Sequence, residues 1–429
     1  MASLILRAVR RIEATKVPFM TAAPAAATLA DDMARRRSIT FLNIAHGFDH
    51  FVLLIYPTVV IGLEVVYGRP YSELIALSSA AFLAFGLFSL PAGWLADRWS
   101  RRNMMAAFYL GCGLSMIAVA LAPNLIVLAV AMFALGIFTA IYHPVGMAML
   151  IEASGAKGRT LAFNGVCGNL GVSLAAGISA ALAYWISWRA AFYVPAAFLI
   201  ITGIVYVRMT PDDRHHASKR QTKAAVKLTP KLMAMLFGLF LVIALSAGLV
   251  FNVLTIALPK IVDEGMVKGV PLVLVGSVAT AVLLCGAVAQ LAIGRLVERF
   301  APHYLFAVVT CVGFVGNFWA SYAEGIALMI ALAIAIAAIY AQVTVNDIIL
   351  ARYTADAWRG RVYAVRYFTL FISSGIAIGM IALLHKTGGF GLVLGVNAAV
   401  ALVMFLTTLA LTAMVVNIES RQMALQPAE

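Results

Sequence analysis

The chain has 429 residues, 63% of them apolar and 11% charged, with a mean hydropathy of +0.98. Soluble domains run about 45–50% apolar and about 25% charged, so this composition excludes a soluble enzyme, a nucleic-acid-binding domain and a disordered chain. The net charge of +13, from 31 Lys and Arg against 18 Asp and Glu, fits membrane-flanking loops, where it sets orientation.

Only helices and closed barrels satisfy their backbone inside lipid. The apolar runs are continuous rather than alternating, which selects helices. At about 20 residues per crossing they predict twelve spans: 39–63, 72–95, 103–122, 125–150, 160–184, 190–207, 232–258, 272–294, 304–322, 325–348, 362–384 and 390–416. The expected organisation is a basic tail (1–37, with Met20 and Met33 as alternative starts), a six-helix bundle (38–208), a polar linker (209–231), a second six-helix bundle (232–416) and a short tail (417–429). With the N-terminus inside the cell, 25 Lys and Arg fall on the cytoplasmic side and 5 on the other. This bias predicts a multi-pass inner-membrane protein with both termini cytoplasmic. The four cysteines all lie in apolar runs, and their spacing matches no metal signature, so they read as small core residues.

Span 1 carries His46, Asp49 and His50. Asp49 is ten residues into the span, roughly 15 Å deep at about 1.5 Å per residue. An ionisable group there costs at least about 2.5–3.5 kcal/mol, so it needs a reason. The three side chains share a broad helix face, and carboxylate and imidazole together suit proton coupling. Substrate binding and structural hydrogen bonding are the other readings. His46 and His50 also have the spacing of a metal-binding pair, but the sequence offers no further ligand. In span 4, Pro144 should loosen the helix because it lacks an N–H; the adjacent His143 could bond the freed carbonyl, sense protons or line the cavity. Asn164 and Asn169 in span 5, Asn252 in span 7 and Gln290 in span 8 are candidate cavity groups, with interhelical hydrogen bonding as the alternative. Asp347, at the end of span 10, suits a gate ion pair. Arg366, flanked by Tyr363 and Tyr367 in span 11, could clamp an anionic substrate, pair internally, or snorkel to the surface.

The halves repeat at an offset near 200 residues. Gly93-Trp-Leu-Ala-Asp97-Arg98 ends span 2, and Gly294-Arg-Leu-Val-Glu298-Arg299 ends span 8; Ala140-Ile-Tyr142 matches Ala338-Ile-Tyr340, Gly158-Arg159 matches Gly360-Arg361, and Pro57 matches Pro259. Such repeats predict a binding site between the halves and alternating access by rocking.

The run from Gly93 through Asp97 and Arg98 to Arg101 and Arg102 resembles the loop 2–3 signature of the major facilitator superfamily, with Ser100 where that family usually has Gly. The copy ending in Glu298 and Arg299 is similar, without the trailing basic pair. Trp188-Arg189-Ala-Ala-Phe192 fits the same family. The resemblance implies an all-α membrane protein of twelve helices in two pseudo-symmetric bundles, with span 1 lining the central cavity. It also implies that Gly93, Asp97, Arg98, Arg101 and Arg102 belong to a cytoplasmic gate that holds the outward-open state. Tyr142-His-Pro-Val-Gly146 and Asn164-Gly-Val-Cys-Gly168-Asn169-Leu-Gly171 look like the fosmidomycin-resistance-like exporters within it. Span 5 also resembles an antiporter signature, without its Gly-Pro pair.

No Walker sequence and no Ser/His/Asp order occurs, so neither ATP hydrolysis, another enzyme activity nor a cofactor is expected. The expected function is secondary active transport of a small organic solute, proton-coupled, with export by antiport ahead of uptake of an organic anion by symport. A non-transporting membrane sensor or assembly subunit is the reading from another class. The expected partners are the solute, the proton and the bilayer, without nucleic acid, and the chain is expected to be a monomer.

Overall fold

The computed structural model describes residues 26–154, 158–210, 230–266, 269–353 and 356–424, and among them no strand occurs. Spans 1 to 3 are Ala26–Tyr67, Tyr71–Ala76 with Ser79–Arg98, and Arg101–Leu121. Span 4 is Leu125–Thr139, a π-helical turn Tyr142–Gly146, then Met147–Ser154. Spans 5 to 10 are Gly158–Trp185, Ala190–Met209, Pro230–Gly265, Leu272–Leu296, Pro302–Ala320 and Gly325–Tyr353. The last helical stretch, Asp356–Ala424, is broken at Gly388 and Gly389, where Gly389 takes φ 63°. Among the described residues, eleven segments are long and apolar enough to cross a bilayer. The last of these, Phe368–Ile418, has 51 residues where about 20 suffice for one crossing. The glycine break divides it into spans 11 and 12, which restores the expected even number.

Local chemistry sets the boundaries. The Ser100 side chain accepts from the Asn103 N–H at 3.0 Å and starts span 3. The departure from the family's glycine is therefore a helix cap. Asn124 caps span 4 through the Val127 N–H at 3.0 Å, and Pro302 opens span 9 at its first turn. Span 1 begins twelve residues before 38, so 26–37, read from the sequence as tail, is helical. Of the cysteines, Cys112 is buried, whereas Cys285 is exposed.

In the first half, span 1 packs on span 5, span 3 on spans 4 and 6, and span 2 on span 4; in the second, span 7 packs on the last helical stretch and span 9 on span 10. The halves meet where span 5 lies along span 8 and where span 2 lies along span 11. A shift of six spans turns one contact into the other, as the internal repeat requires. The span 5–span 8 seam is close: a Cβ on Gly276 would lie 2.6 Å from the Ala176 carbonyl oxygen, and the Gly177 N–H donates to Thr280 Oγ1 at 3.0 Å. Small residues permit this approach where no hydrophobic force drives helices together.

Candidate functional site: a buried carboxylate among three imidazoles

Pro144 cannot donate a backbone hydrogen bond, and the helix answers by widening into a π-helical turn over Tyr142–Gly146. The widened turn brings Tyr142 and His143 against span 1. His143 Nε2 lies 3.1 Å from Asp49 Oδ2, and the Asp49 side chain is fully buried. Neither Asp49 oxygen accepts a well-aligned hydrogen bond among the described residues. The ring centres of His46 and His50 are 5.2 Å apart, and that of His143 is 5.5 Å and 5.4 Å from them. One nitrogen from each ring falls within 4.8 Å of the other two, a spacing that can hold a metal ion.

The cluster is held from behind. The His46 Nδ1 bonds to the Asn164 carbonyl oxygen at 2.8 Å, and the His46 ring stacks on Tyr142 at 4.8 Å. Tyr142 Oη donates to Asn164 Oδ1 at 3.1 Å, and the Asn164 amide donates to Asn43 Oδ1 at 2.9 Å. Gly168 leaves room for His46: a Cβ there would lie 2.6 Å from His46 Nε2. Gly168→Ala is therefore expected to displace the ring and cut transport roughly tenfold, the order of effect seen when a supporting residue is lost. Its yield and melting point should stay near the parent's; transport and thermal unfolding measured side by side check this.

The other residues read from the sequence fall into three groups. Asn164 is fully buried and bonded to Tyr142, Asn43 and the Leu42 carbonyl, which braces the cluster from behind. Asn169 donates to Gln290 across the seam between the halves, and Asn252 donates to the Gly248 carbonyl oxygen at 2.7 Å. Arg101 pairs with Asp97 at 3.1 Å and Glu152 at 3.2 Å, Arg98 lies 4.3 Å over the Trp94 ring, and Arg102 donates to the Thr210 carbonyl at 3.1 Å and to that of Val207. Gly93 packs on Pro144, with a Cβ position 3.2 Å from its side chain, which ties this loop's helix to the π-helical turn. Glu298 and Arg299 are exposed beyond span 8, and Asp347 is half-buried near the end of span 10. The helix runs through Tyr363, Arg366 and Tyr367, but their side chains lie outside the described residues.

The sequence reading missed a second cluster, at the opposite end of the bundle from Arg98–Arg102. Lys260 on span 7 pairs with Glu64 on span 1 at 2.5 Å and with Asp263 at 2.9 Å. His385 on span 11 reaches Glu264 at 3.1 Å, and its ring lies 5.2 Å from that of Tyr71 on span 2. These contacts tie the halves together at this end. A signal existed: Lys260 directly follows Pro259, the repeat partner of Pro57. Lys260→Gln removes a buried cation from between partly exposed carboxylates, which then repel one another across the two halves. It should therefore open this end. In a background with Ser72→Cys and the native cysteines replaced, labelling by a membrane-impermeant maleimide should rise at least tenfold.

Among the described residues, eleven apolar segments, the last broken by a glycine pair, a seam between the two halves and ionisable groups buried within the spans have the architecture of a membrane transporter. The sequence pattern of the Major Facilitator Superfamily matches residues 39–341, and the chain belongs to that family. Over 141 residues it is 30% identical to a puromycin resistance protein of Streptomyces alboniger, a match covering 32% of this chain and about a quarter (27%) of that protein. Its fold is that of a bacterial homologue of the human lysosomal transporter Spinster. The inward-facing occupied structure of that protein aligns with a TM-score of 0.69, and the inward-facing unoccupied one with 0.65. Both alignments are at 14% identity and cover 89% of this chain and 94% and 95% of theirs.

Proposed function

We propose that this transporter exports a small organic solute across the inner membrane in exchange for protons, and that Asp49, His46 and His50 form the coupling site. The carrying observation is the Asp49–His143 contact: a fully buried carboxylate at mid-span beside an imidazole, with no Lys or Arg paired to it among the described residues. An unpaired buried charge is costly, and a carboxylate–imidazole pair escapes that cost by keeping a proton between its members. Moving the proton in and out then changes the charge of the site, which is what drives a rocking cycle. Export is favoured over uptake by the likeness of 142–146 and 164–171 to fosmidomycin-resistance-like exporters and by the name of the Streptomyces relative. In this reading the end bearing Arg98–Arg102 faces the cytoplasm, as the basic bias implies.

A second reading is proton-coupled uptake of an organic anion. It draws on a cavity of about 620 Å³ lined by Arg36 and Arg159, by Asn43, and by apolar side chains from spans 1, 5 and 8, including Phe163 and Leu291. The test uses inside-out vesicles acidified by respiration and carrying a lumenal pH dye. Lipophilic cations, organic acids, phosphonates and sugars are added one at a time. Export by antiport predicts lumenal alkalinisation with at least one compound. Silence across the panel, with proton-driven accumulation of an organic acid in right-side-out vesicles, would select the uptake reading.

A further inference from the structure

We propose that His46, His50 and His143 form a binding site for one divalent transition-metal ion of the zinc type, linking span 1 to span 4. This rests on reading the cluster as a place where a cation enters and leaves the membrane interior. It goes beyond that reading in naming a second cation. His46 and His50 are one helical turn apart on span 1, and the missing third ligand comes from span 4 through the π-helical turn.

Three features suit a metal ion more than a chance meeting of rings. First, one nitrogen of each ring lies within 4.8 Å of the others. Ligands about 2.0–2.1 Å from zinc in a tetrahedron stand about 3.4 Å apart, so side-chain rotations of about 1 Å close the site. Second, His46 is already oriented. Its Nδ1 bonds to the Asn164 carbonyl oxygen, an arrangement that leaves Nε2 with the lone pair, as in metal-ligating histidines held by an outer partner. Asn164 itself is fixed by Tyr142, Asn43 and the Leu42 carbonyl. Third, Asp49 stands just outside the triplet, 3.1 Å from His143 Nε2, and supplies the negative charge that an ion in a low-dielectric site requires. Imidazoles with one carboxylate are a donor set for zinc, cobalt and nickel in preference to magnesium or calcium, which take oxygen. Rings from two spans on one ion would also pin the rearrangement that transport requires.

The test uses the purified full-length protein in lipid nanodiscs, stripped of metal and titrated with Co2+ as a spectroscopic probe. His215 and His216 in the linker are replaced by Gln beforehand, so that this pair does not bind the probe. The expected result is one Co2+ per chain, an intense visible absorption of tetrahedral type, and displacement by Zn2+. His50→Gln and His143→Gln should each weaken binding at least 100-fold, and Asp49→Asn about tenfold. Zn2+ should raise the melting temperature of the parent and leave that of His143→Gln unchanged, which shows in one measurement whether the variant is folded. No saturable binding by the parent, or equal binding by a folded His50→Gln/His143→Gln variant, would overturn the proposal. No gradient and no solute enters the titration, so its failure leaves proton coupling standing. Conversely, failed coupling with intact Co2+ binding would leave the metal site standing.

Discussion

Asp49→Asn is expected to reduce proton-driven solute movement to background, a loss of at least 100-fold, while solute exchange at zero gradient stays within a few fold of the parent. Asparagine keeps the shape of aspartate and can still accept from a neighbour, so packing around His143 should survive. What it cannot do is carry a proton through the cycle. A buried carboxylate is fully enclosed here, with His143 Nε2 at 3.1 Å, and such a group is costly to keep unless it is used. Proteoliposomes loaded with solute, with and without an imposed pH gradient, separate the two activities. If Asp49→Asn still concentrates solute, the carboxylate is a structural hydrogen-bonding group and the coupling assignment fails. His143→Gln should give an intermediate result, because it leaves the carboxylate in place but removes the ring that, in the proposed coupling, would share its proton.

How much of this was legible in the sequence depends on distance along the chain. The spans, their number and the repeat follow from composition and periodicity, because in lipid every crossing must be a continuous apolar helix. His46, Asp49 and His50 were legible because ionisable residues inside an apolar run stand out. The Asp49–His143 contact was not. It joins positions 94 apart, and its cause is a helix irregularity: Pro144 marked the break but not the direction in which the widened turn would aim His143. The same limit explains Asn164, Asn169 and Gln290. Polarity singled them out, but which partner each would bond depends on packing: Asn164 joins Tyr142 and Asn43, and Asn169 joins Gln290 across the halves. The Lys260–Glu64 tie went unseen because each residue sits at a helix end, where charge is ordinary. The two become a lock only when the halves close.

The largest expected loss of stability comes from Gly171, on the face of span 5 that meets span 1. A Cβ there would collide with the Gly47 carbonyl oxygen, and it would lie 2.8 Å from the Gly47 carbonyl carbon and 3.0 Å from its Cα. The obstacle is backbone, which cannot swing aside as a side chain tip would. Gly47 mirrors the constraint, with a Cβ position 3.3 Å from the Cys167 carbonyl oxygen. Gly171→Val must therefore push the two spans apart, at a cost of about 3 kcal/mol, the upper range for overpacking. The same displacement would pull His46 from the Asn164 carbonyl and the Asn164 amide from Asn43, so function should fall with stability. Fluorescence-detected gel filtration after heating should show a lower melting temperature and a smaller folded fraction. Gly165, six residues earlier on the same helix, has nothing within 4 Å of its Cβ position, and Gly165→Ala should leave the melting temperature unchanged or slightly raised, since alanine favours the helix. Equal behaviour of the two variants would mean that spans 1 and 5 are not in backbone contact, and the bracing of the histidine cluster through Asn164 would fall with it.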